Sequence, residues 1–147
     1  MLPSAPLKDG GRSGIIKNRI LVVDDNSSLR NLLVRCLNQL GYEAIEAATS
    51  LEALQQARSS CPDLILMDLA MPEGNGDEAI AWLKADPLTR DKPVIVLTAF
   101  RHGSLIERAI AAGAAEILYK PVSLNWLDLT LRRHLSSQCQ TQRLLQR

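Results

Sequence analysis

The sequence predicts an α/β fold in which a doubly wound, five-stranded parallel sheet carries helices on both faces. Short apolar runs recur along the chain, and helical periodicity fills the intervals between them. Single helices between strands imply parallel crossover units, and uniformly apolar runs are typical of strands covered on both faces. The five runs are ILVV (20–23), YEAIEA (42–47), LILM (64–67), VIVL (94–97) and EILY (116–119).

Five helices are expected beside these strands. Apolar residues in the first interval recur at the spacing of one helical face, and Gly41 supplies a stop signal after them. The second helix is expected to open at Thr49 and the fourth at Ser104, each with a glutamate three residues later, which matches the capping box. A third helix is expected over about residues 77–85 and a fifth from residue 123. The apolar face of the first helix comprises Leu29, Leu32, Leu33, Cys36, Leu37 and Leu40.

Length and composition predict one domain. The chain has 147 residues, of which 46% are hydrophobic, which is ample for one continuous core. We expect residues 1–17, rich in Pro, Gly and Ser, to form a flexible arm, and residues 18–138 to form the domain. Residues 139–147 are expected to form a tail, either as a frayed or disordered end or as a continuation of the fifth helix.

The charge balance and the cysteines narrow the class of protein. Lys plus Arg total 17 and Asp plus Glu total 16, so the net charge of +1 gives no sign of direct nucleic-acid binding. Three separated cysteines cannot all pair within one chain, which favours a reducing cytoplasm. No apolar run reaches the roughly 18 residues of a membrane-spanning helix, so we expect a cytoplasmic protein without a membrane segment.

Polar residues follow the apolar runs at the points where the strands should end. Asp24 and Asp25 follow the first run, Asp68 the third, Thr98 the fourth and Lys120 the fifth. Because the carboxyl ends of parallel strands meet at one edge, these side chains are expected to share one rim. Three converging carboxylates would repel one another unless a cation lay among them.

This set of groups fits the chemistry of carrying a phosphoryl group on an aspartate. Asp68 would be the nucleophile that forms an acyl phosphate, while Lys120 and the Thr98 hydroxyl would contact phosphoryl oxygens. Taken singly, Thr98 could be an ordinary strand-end hydroxyl and Lys120 a surface lysine. The joint pattern favours the phosphoacceptor interpretation.

The acidic residues also predict a magnesium site. Mg²⁺ prefers oxygen ligands in near-octahedral geometry and keeps part of its hydration shell. The expected ligands are Asp24, directly or through water, Asp25, Asp68 and the backbone carbonyl of Ala70. In the absence of Asp68 and Lys120, we would interpret Asp24 and Asp25 as an acidic pair stabilised by a helix N-terminus.

Four segments together resemble a known family. ILVVDDNSSLR, DLILMDLAMPEGNG, VIVLTAF and ILYKP are similar, in order and spacing, to the signature segments of bacterial two-component response regulator receiver domains, over about residues 18–138. The resemblance implies a flavodoxin-like receiver fold like that of chemotaxis regulators. It implies that Asp68 takes a phosphoryl group from a sensor histidine kinase or phosphotransfer protein, with Mg²⁺ at the acidic pair, Thr98 as the switch hydroxyl and Lys120 as the family lysine. It also implies a cis Lys120-Pro121 bond.

The resemblance implies a signalling phosphoacceptor that catalyses only its own phosphorylation and dephosphorylation, rather than an enzyme. Aspartate-dependent phosphatases typically place a second aspartate two residues after the nucleophile, where this chain has Ala70. Ile117 stands where receivers often carry Tyr or Phe, so a pseudo-receiver that binds partners without phosphate is the alternative. Output would require a downstream protein or a domain outside this sequence, and a phosphorylation-dependent dimer is left open.

Overall fold

The computed structural model describes residues 17–69, 76–99 and 103–145, with side chains described to residue 136. The strands are β1 (Arg19–Val23), β2 (Glu43–Ala47), β3 (Leu64–Asp68), β4 (Val94–Thr98) and β5 (Glu116–Tyr119). The helices are α1 (Ser27–Gln39), α2 (Ser50–Ser60), α3 (Gly76–Ala85), α4 (Ser104–Ala112) and α5 (Leu124–Leu145). The predicted flexible arm, apart from residue 17, and the predicted Ala70 ligand lie outside the described residues.

The five strands form one parallel sheet in the order β2-β1-β3-β4-β5, with helices on both faces. Successive strand residues point to opposite faces, so each face buries its own apolar cluster. One cluster joins the sheet to α2, α3 and α4 through residues such as Ala53, Ile80 and Ala109. The other joins it to α1 and α5 through Leu37 and Leu127. The predicted fold class is confirmed.

The carboxyl ends of the strands lie side by side. The register pairs Val23 with Met67 and Asp68 with Leu97, and Thr98 is the last residue of β4. The residues after β1 and β5 therefore share one edge of the sheet with the ends of β3 and β4. Strand order changes direction between β1 and β3, which is where sheets of this kind bind ligands.

The predicted C-terminal end of α1 and the predicted N-terminal start of α2 are confirmed. Gly41 has φ +94° after α1, and the Tyr42 N–H donates to the Leu37 carbonyl at 2.9 Å, which is the hydrogen bond of a Schellman ending. At the start of α2, the Thr49 hydroxyl accepts from the Glu52 N–H at 3.1 Å. The Glu52 carboxylate reaches back to the Ala48 N–H at 2.7 Å, one residue before the position that an ideal capping box uses.

The predicted capping box of α4 is wrong. Gly103 takes the cap position with φ +119°, a conformation that favours glycine, and no side chain caps the helix. Ser104 is the first helical residue, and its hydroxyl accepts from the Arg108 guanidinium at 3.2 Å. The serine oxygen thus binds a side chain one turn later instead of a backbone N–H.

Helix α5 extends past the predicted domain boundary. Its backbone is helical to Leu145, which agrees with the alternative in which residues 139–147 continue the fifth helix. Buried Leu127, Leu131 and Leu135 hold its first half against the sheet. Among the helices described, none has the length and apolarity needed to cross a membrane.

Candidate functional site

Three carboxylates meet at the edge of the sheet. Asp24 and Asp25 directly follow β1, and Asp68 ends β3, its neighbour in the sheet. Each side chain offers an oxygen, and these oxygens all lie within 4.8 Å of one another. Asp24 is buried, with 2% of its surface exposed, Asp68 is partly buried and Asp25 is exposed. The site therefore has a buried side and a solvent side.

Lys120 brings a positive charge to the same place from the far side of β4. Its Nζ lies 3.7 Å from Asp24 Oδ2 and 3.9 Å from Asp68 Oδ1, which is ion-pair distance. The Lys120 N–H donates to the Thr98 carbonyl at 2.8 Å, and the Lys120-Pro121 peptide bond is cis. The lysine thus lies between two of the three carboxylates and balances part of their repulsion.

Thr98 ends the buried strand between Asp68 and Lys120. It is 1% exposed, and its strand pairs with β3 on one side and with β5 on the other. The structure brings Asp24, Asp25 and Asp68 together and places Lys120 at ion-pair distance from Asp24 and Asp68. Thr98 ends the intervening strand. The structure does not describe Ala70.

Asp24 is held by hydrogen bonds on several sides. Its N–H donates to the Ala47 carbonyl at 3.1 Å, and its Oδ1 accepts from the Asn26 N–H at 3.0 Å. Its own carbonyl accepts from Arg30 Nη1 at 2.7 Å. Asn26 also caps α1 by accepting from the Leu29 N–H at 3.0 Å. The turn that carries both acidic residues is therefore fixed to β2 and to α1. Arg30 ends the segment ILVVDDNSSLR, but sequence reasoning gave it no role.

A second residue that sequence reasoning missed is Gly76. Its N–H donates to the Leu69 carbonyl at 2.7 Å. A Cβ atom at this position would lie 2.6 Å from the Asp68 carbonyl oxygen and 2.9 Å from Leu69 Cα. Only glycine lets α3 begin this close to the strand that ends in Asp68. The available signal was the glycine that ends the segment DLILMDLAMPEGNG, directly before the helix predicted over about residues 77–85.

The donor set fits a hard divalent cation. Three carboxylates close enough to share one ion carry more negative charge than a single ammonium group balances. All of their ligand atoms are oxygens, which suit Mg²⁺ better than a softer metal. The exposed position of Asp25 leaves room for the water molecules that Mg²⁺ retains.

An apolar groove adjoins the site. It has a volume of about 470 Å³ and is lined by Leu29, Leu32, Leu33, Leu97, Ala99, Pro121 and Val122 as well as by Asp24 and Lys120. The predicted apolar face of α1 is therefore only partly a core face. Leu37 is fully buried, whereas Leu29 is 40% and Leu32 55% exposed.

Comparison with known proteins identifies the family. The family model described as "Response regulator receiver domain" matches residues 20–132. The chain belongs to the response regulator receiver domain family. The predicted resemblance is confirmed, and the protein is a receiver domain of two-component signalling, a family of signalling phosphoacceptors rather than conventional enzymes.

Related proteins and solved receiver structures support the same family assignment. The polar-differentiation response regulator DivK of Brucella ovis is 38% identical over 116 residues, covering 79% of this chain and 94% of DivK. A CheY-like receiver domain from Methanospirillum hungatei is 28% identical with a TM-score of 0.79, over 86% of this chain and 99% of that one. The receiver domain of a Syntrophus aciditrophicus histidine kinase is 32% identical with a TM-score of 0.76, over 82% and 91% of the two chains.

Proposed function

We propose that this receiver accepts a phosphoryl group on Asp68 from the phosphohistidine of a sensor histidine kinase or phosphotransfer protein. The observation that supports this most directly is the convergence of Asp68 with Asp24, Asp25 and Lys120. Transfer breaks the P–N bond of the donor and forms a P–O bond to Asp68, while the imidazole keeps the electron pair of the broken bond.

Each neighbouring side chain has a part in this proposal. The Lys120 ammonium contacts one phosphoryl oxygen, and the Thr98 hydroxyl donates to another once the group is in place. Asp24, Asp25, Asp68 and the Ala70 carbonyl would hold Mg²⁺, which supplies Lewis-acid neutralisation of phosphoryl charge when bound. The hydrogen bonds of the turn after β1 hold Asp24 in place before any phosphate arrives.

The apolar groove beside Asp24 and Lys120 supports delivery by a protein donor. The exposed side chains of Leu29 and Leu32 lie on α1 along this groove. A partner that brings phosphohistidine to Asp68 must cover this neighbourhood, and burying two leucines would contribute to its affinity. A small phosphodonor needs no such surface.

Output requires a phosphorylation-dependent change at a protein-binding surface, which we assign to α4, β5 and α5. The target is a downstream protein or an output domain, dimerisation through this surface is part of the proposal, and we propose the cytoplasm as its compartment. Ile117, in place of the common aromatic residue, favours one other candidate function: a pseudo-receiver that binds its partner without phosphate.

Incubation with acetyl phosphate and Mg²⁺, followed by intact-mass measurement, tests the proposal. We expect the wild type to gain one phosphoryl group and Asp68→Asn to gain none. Asp63→Asn is the matched control, because Asp63 immediately precedes the same strand and accepts from the Arg19 N–H at the opposite end. A wild type that stays unmodified with every donor would contradict the proposal and favour the pseudo-receiver.

A further inference from the structure

We propose that Arg30 is a positioning residue for the acidic site, holding the peptide that joins Asp24 to Asp25 so that both carboxylates face one cation. This inference rests on the proposed function of the site. Arg30 itself does not touch the cation or the phosphoryl group in this proposal. It acts through the backbone.

The contacts of Arg30 tie three elements together. Its Nη1 donates to the Asp24 carbonyl at 2.7 Å, and its Nε donates to Glu46 Oε1 at 3.0 Å. Arg30 lies on α1 and Glu46 on β2, while Asp24 follows β1. The Arg30 side chain is only 17% exposed, so its position is well defined by its surroundings.

A hydrogen bond to the Asp24 carbonyl restrains the peptide that joins the two acidic residues. The carbonyl of Asp24 and the N–H of Asp25 belong to one planar peptide unit. Holding that carbonyl fixes the plane of the peptide and with it the position of the Asp25 Cα, from which the side chain leaves the backbone. Among the described residues, none donates a hydrogen bond to the exposed Asp25 carboxylate, so its place depends on its backbone.

The end of β2 holds the two peptide units on either side of the Asp24 Cα. Ala47 accepts the Asp24 N–H at 3.1 Å, and the preceding residue, Glu46, holds the guanidinium that binds the Asp24 carbonyl. Repulsion among three carboxylates favours turning Asp25 outward when no cation is present. A fixed peptide keeps the Asp25 Cα beside Asp24, so this repulsion cannot also move the backbone away from the position that a cation needs.

The chain contains a matched arginine away from the site. Arg19 binds Glu43 Oε1 through Nε at 3.3 Å and the Ser60 carbonyl through Nη1 at 2.6 Å. Like Arg30, it joins one carboxylate of β2 to one backbone carbonyl. It starts β1, whereas the acidic pair follows the other end of that strand. Removing Arg19 deletes the same kinds of contacts without loosening the Asp24 peptide.

Calorimetric titration with Mg²⁺ alone tests the assignment in wild type, Arg30→Met and Arg19→Met. We expect Arg30→Met to raise the dissociation constant about tenfold, the lower end of the effect of outer partners of metal ligands, and Arg19→Met to change it by less than about twofold. Arg30→Lys keeps the positive charge but cannot make both hydrogen bonds of the guanidinium. Its dissociation constant for Mg²⁺ should therefore lie between those of the wild type and Arg30→Met. Glu46→Gln should weaken binding less than Arg30→Met does, and it provides a second variant should Arg30→Met fold poorly.

Phosphorylation kinetics separate positioning from a general loss of structure. With acetyl phosphate, Arg30→Met should need about tenfold more Mg²⁺ for its half-maximal rate, yet approach the wild-type rate at saturation. Equal Mg²⁺ affinity in wild type and Arg30→Met, or equal weakening by Arg19→Met, would overturn the role of Arg30 and leave the proposed function standing. A wild type that binds no Mg²⁺ would overturn the metal site itself and this inference with it.

Discussion

Gly76 occupies a position where one added methyl group would press on the strand that carries Asp68. The nearest atoms to a new Cβ are backbone atoms, at 2.6 and 2.9 Å, and cannot rotate away as a side chain could. We expect Gly76→Ala to lower the free energy of unfolding by about 1–3 kcal/mol, measured by urea denaturation. Glu78→Ala, at an exposed position on the same helix, should change it by less than about 0.5 kcal/mol. Equal stability of Gly76→Ala and wild type would contradict the close contact.

Sequence reasoning reached some residues of the site and missed others for a physical reason. Asp24, Asp68 and Lys120 were predictable because a parallel sheet brings the residues after its strands to one edge. The contact between Arg30 and the Asp24 carbonyl depends on how α1 packs beside β2, and no spacing in the sequence encodes that. Gly76 likewise matters only through the distance between α3 and β3.

At the scale of the element, α1 has more apolar residues than the core uses. Leu37 is buried, and Leu33 and Leu40 pack against the same cluster. Helical periodicity correctly predicted the helix. It could not predict which of the apolar residues on that face the neighbouring elements would cover. The remainder, Leu29 and Leu32, lines the groove beside the acidic site.

The exposed part of α1 gives a prediction about the donor. Leu32→Asp places a charge in the apolar groove, so we expect phosphotransfer from a partner kinase to slow about tenfold while acetyl phosphate reacts at the wild-type rate. The assay compares both donors by intact mass. Leu51→Asp is the control, since Leu51 is 59% exposed, similar to the 55% of Leu32, but lies on α2 across the sheet. Equal slowing by both variants would argue against docking at the groove.

A charged cluster joins β5 to α5 and should make this connection sensitive to acid. The Glu116 carboxylate lies 2.8 Å from His134 Nε2 and 3.1 Å from Arg133 Nη2. Burial raises the pKa of Glu116, but hydrogen bonds from His134 and Arg133 outweigh it, so its pKa lies below the ordinary value of 4.5. Because the folded-state pKa is lowered, the stabilisation is present above about pH 4.5 and is lost as the pH falls through the folded-state pKa.

Urea unfolding from neutral to acid pH measures how much the ionised Glu116 carboxylate contributes to the free energy of unfolding. Wild type should be more stable than Glu116→Gln at neutral pH, and the difference should shrink as the pH falls below 4.5. Glu43→Gln removes a carboxylate from another arginine pair, in which both side chains are about half exposed, and serves as the control. A difference between wild type and Glu116→Gln that is independent of pH would contradict the ionic origin of the connection.

At the scale of the whole molecule, the acidic cluster should lower stability without a cation and raise it with one. Asp25→Asn relieves repulsion among three carboxylates, so we expect it to increase the free energy of unfolding without Mg²⁺ by about 1 kcal/mol. Mg²⁺ at 100 times its dissociation constant should stabilise the wild type by about 2.7 kcal/mol, and Asp25→Asn should lose most of that gain. Denaturation with and without Mg²⁺ measures both effects.

The control for this measurement lies at the far end of β3. Asp63→Asn removes a carboxylate that is not part of the acidic cluster, so its response to Mg²⁺ should equal that of the wild type. Identical responses of Asp25→Asn and Asp63→Asn would show that stabilisation by Mg²⁺ does not arise at this site.

The unequal burial of the three carboxylates also bears on how fast ions exchange. Asp24 is enclosed by the fold, whereas Asp25 faces the solvent. A hydrated ion can therefore arrive and depart through the open side while the enclosed carboxylate stays still. Exchange should then be limited by the shedding of water from the ion rather than by opening of the polypeptide.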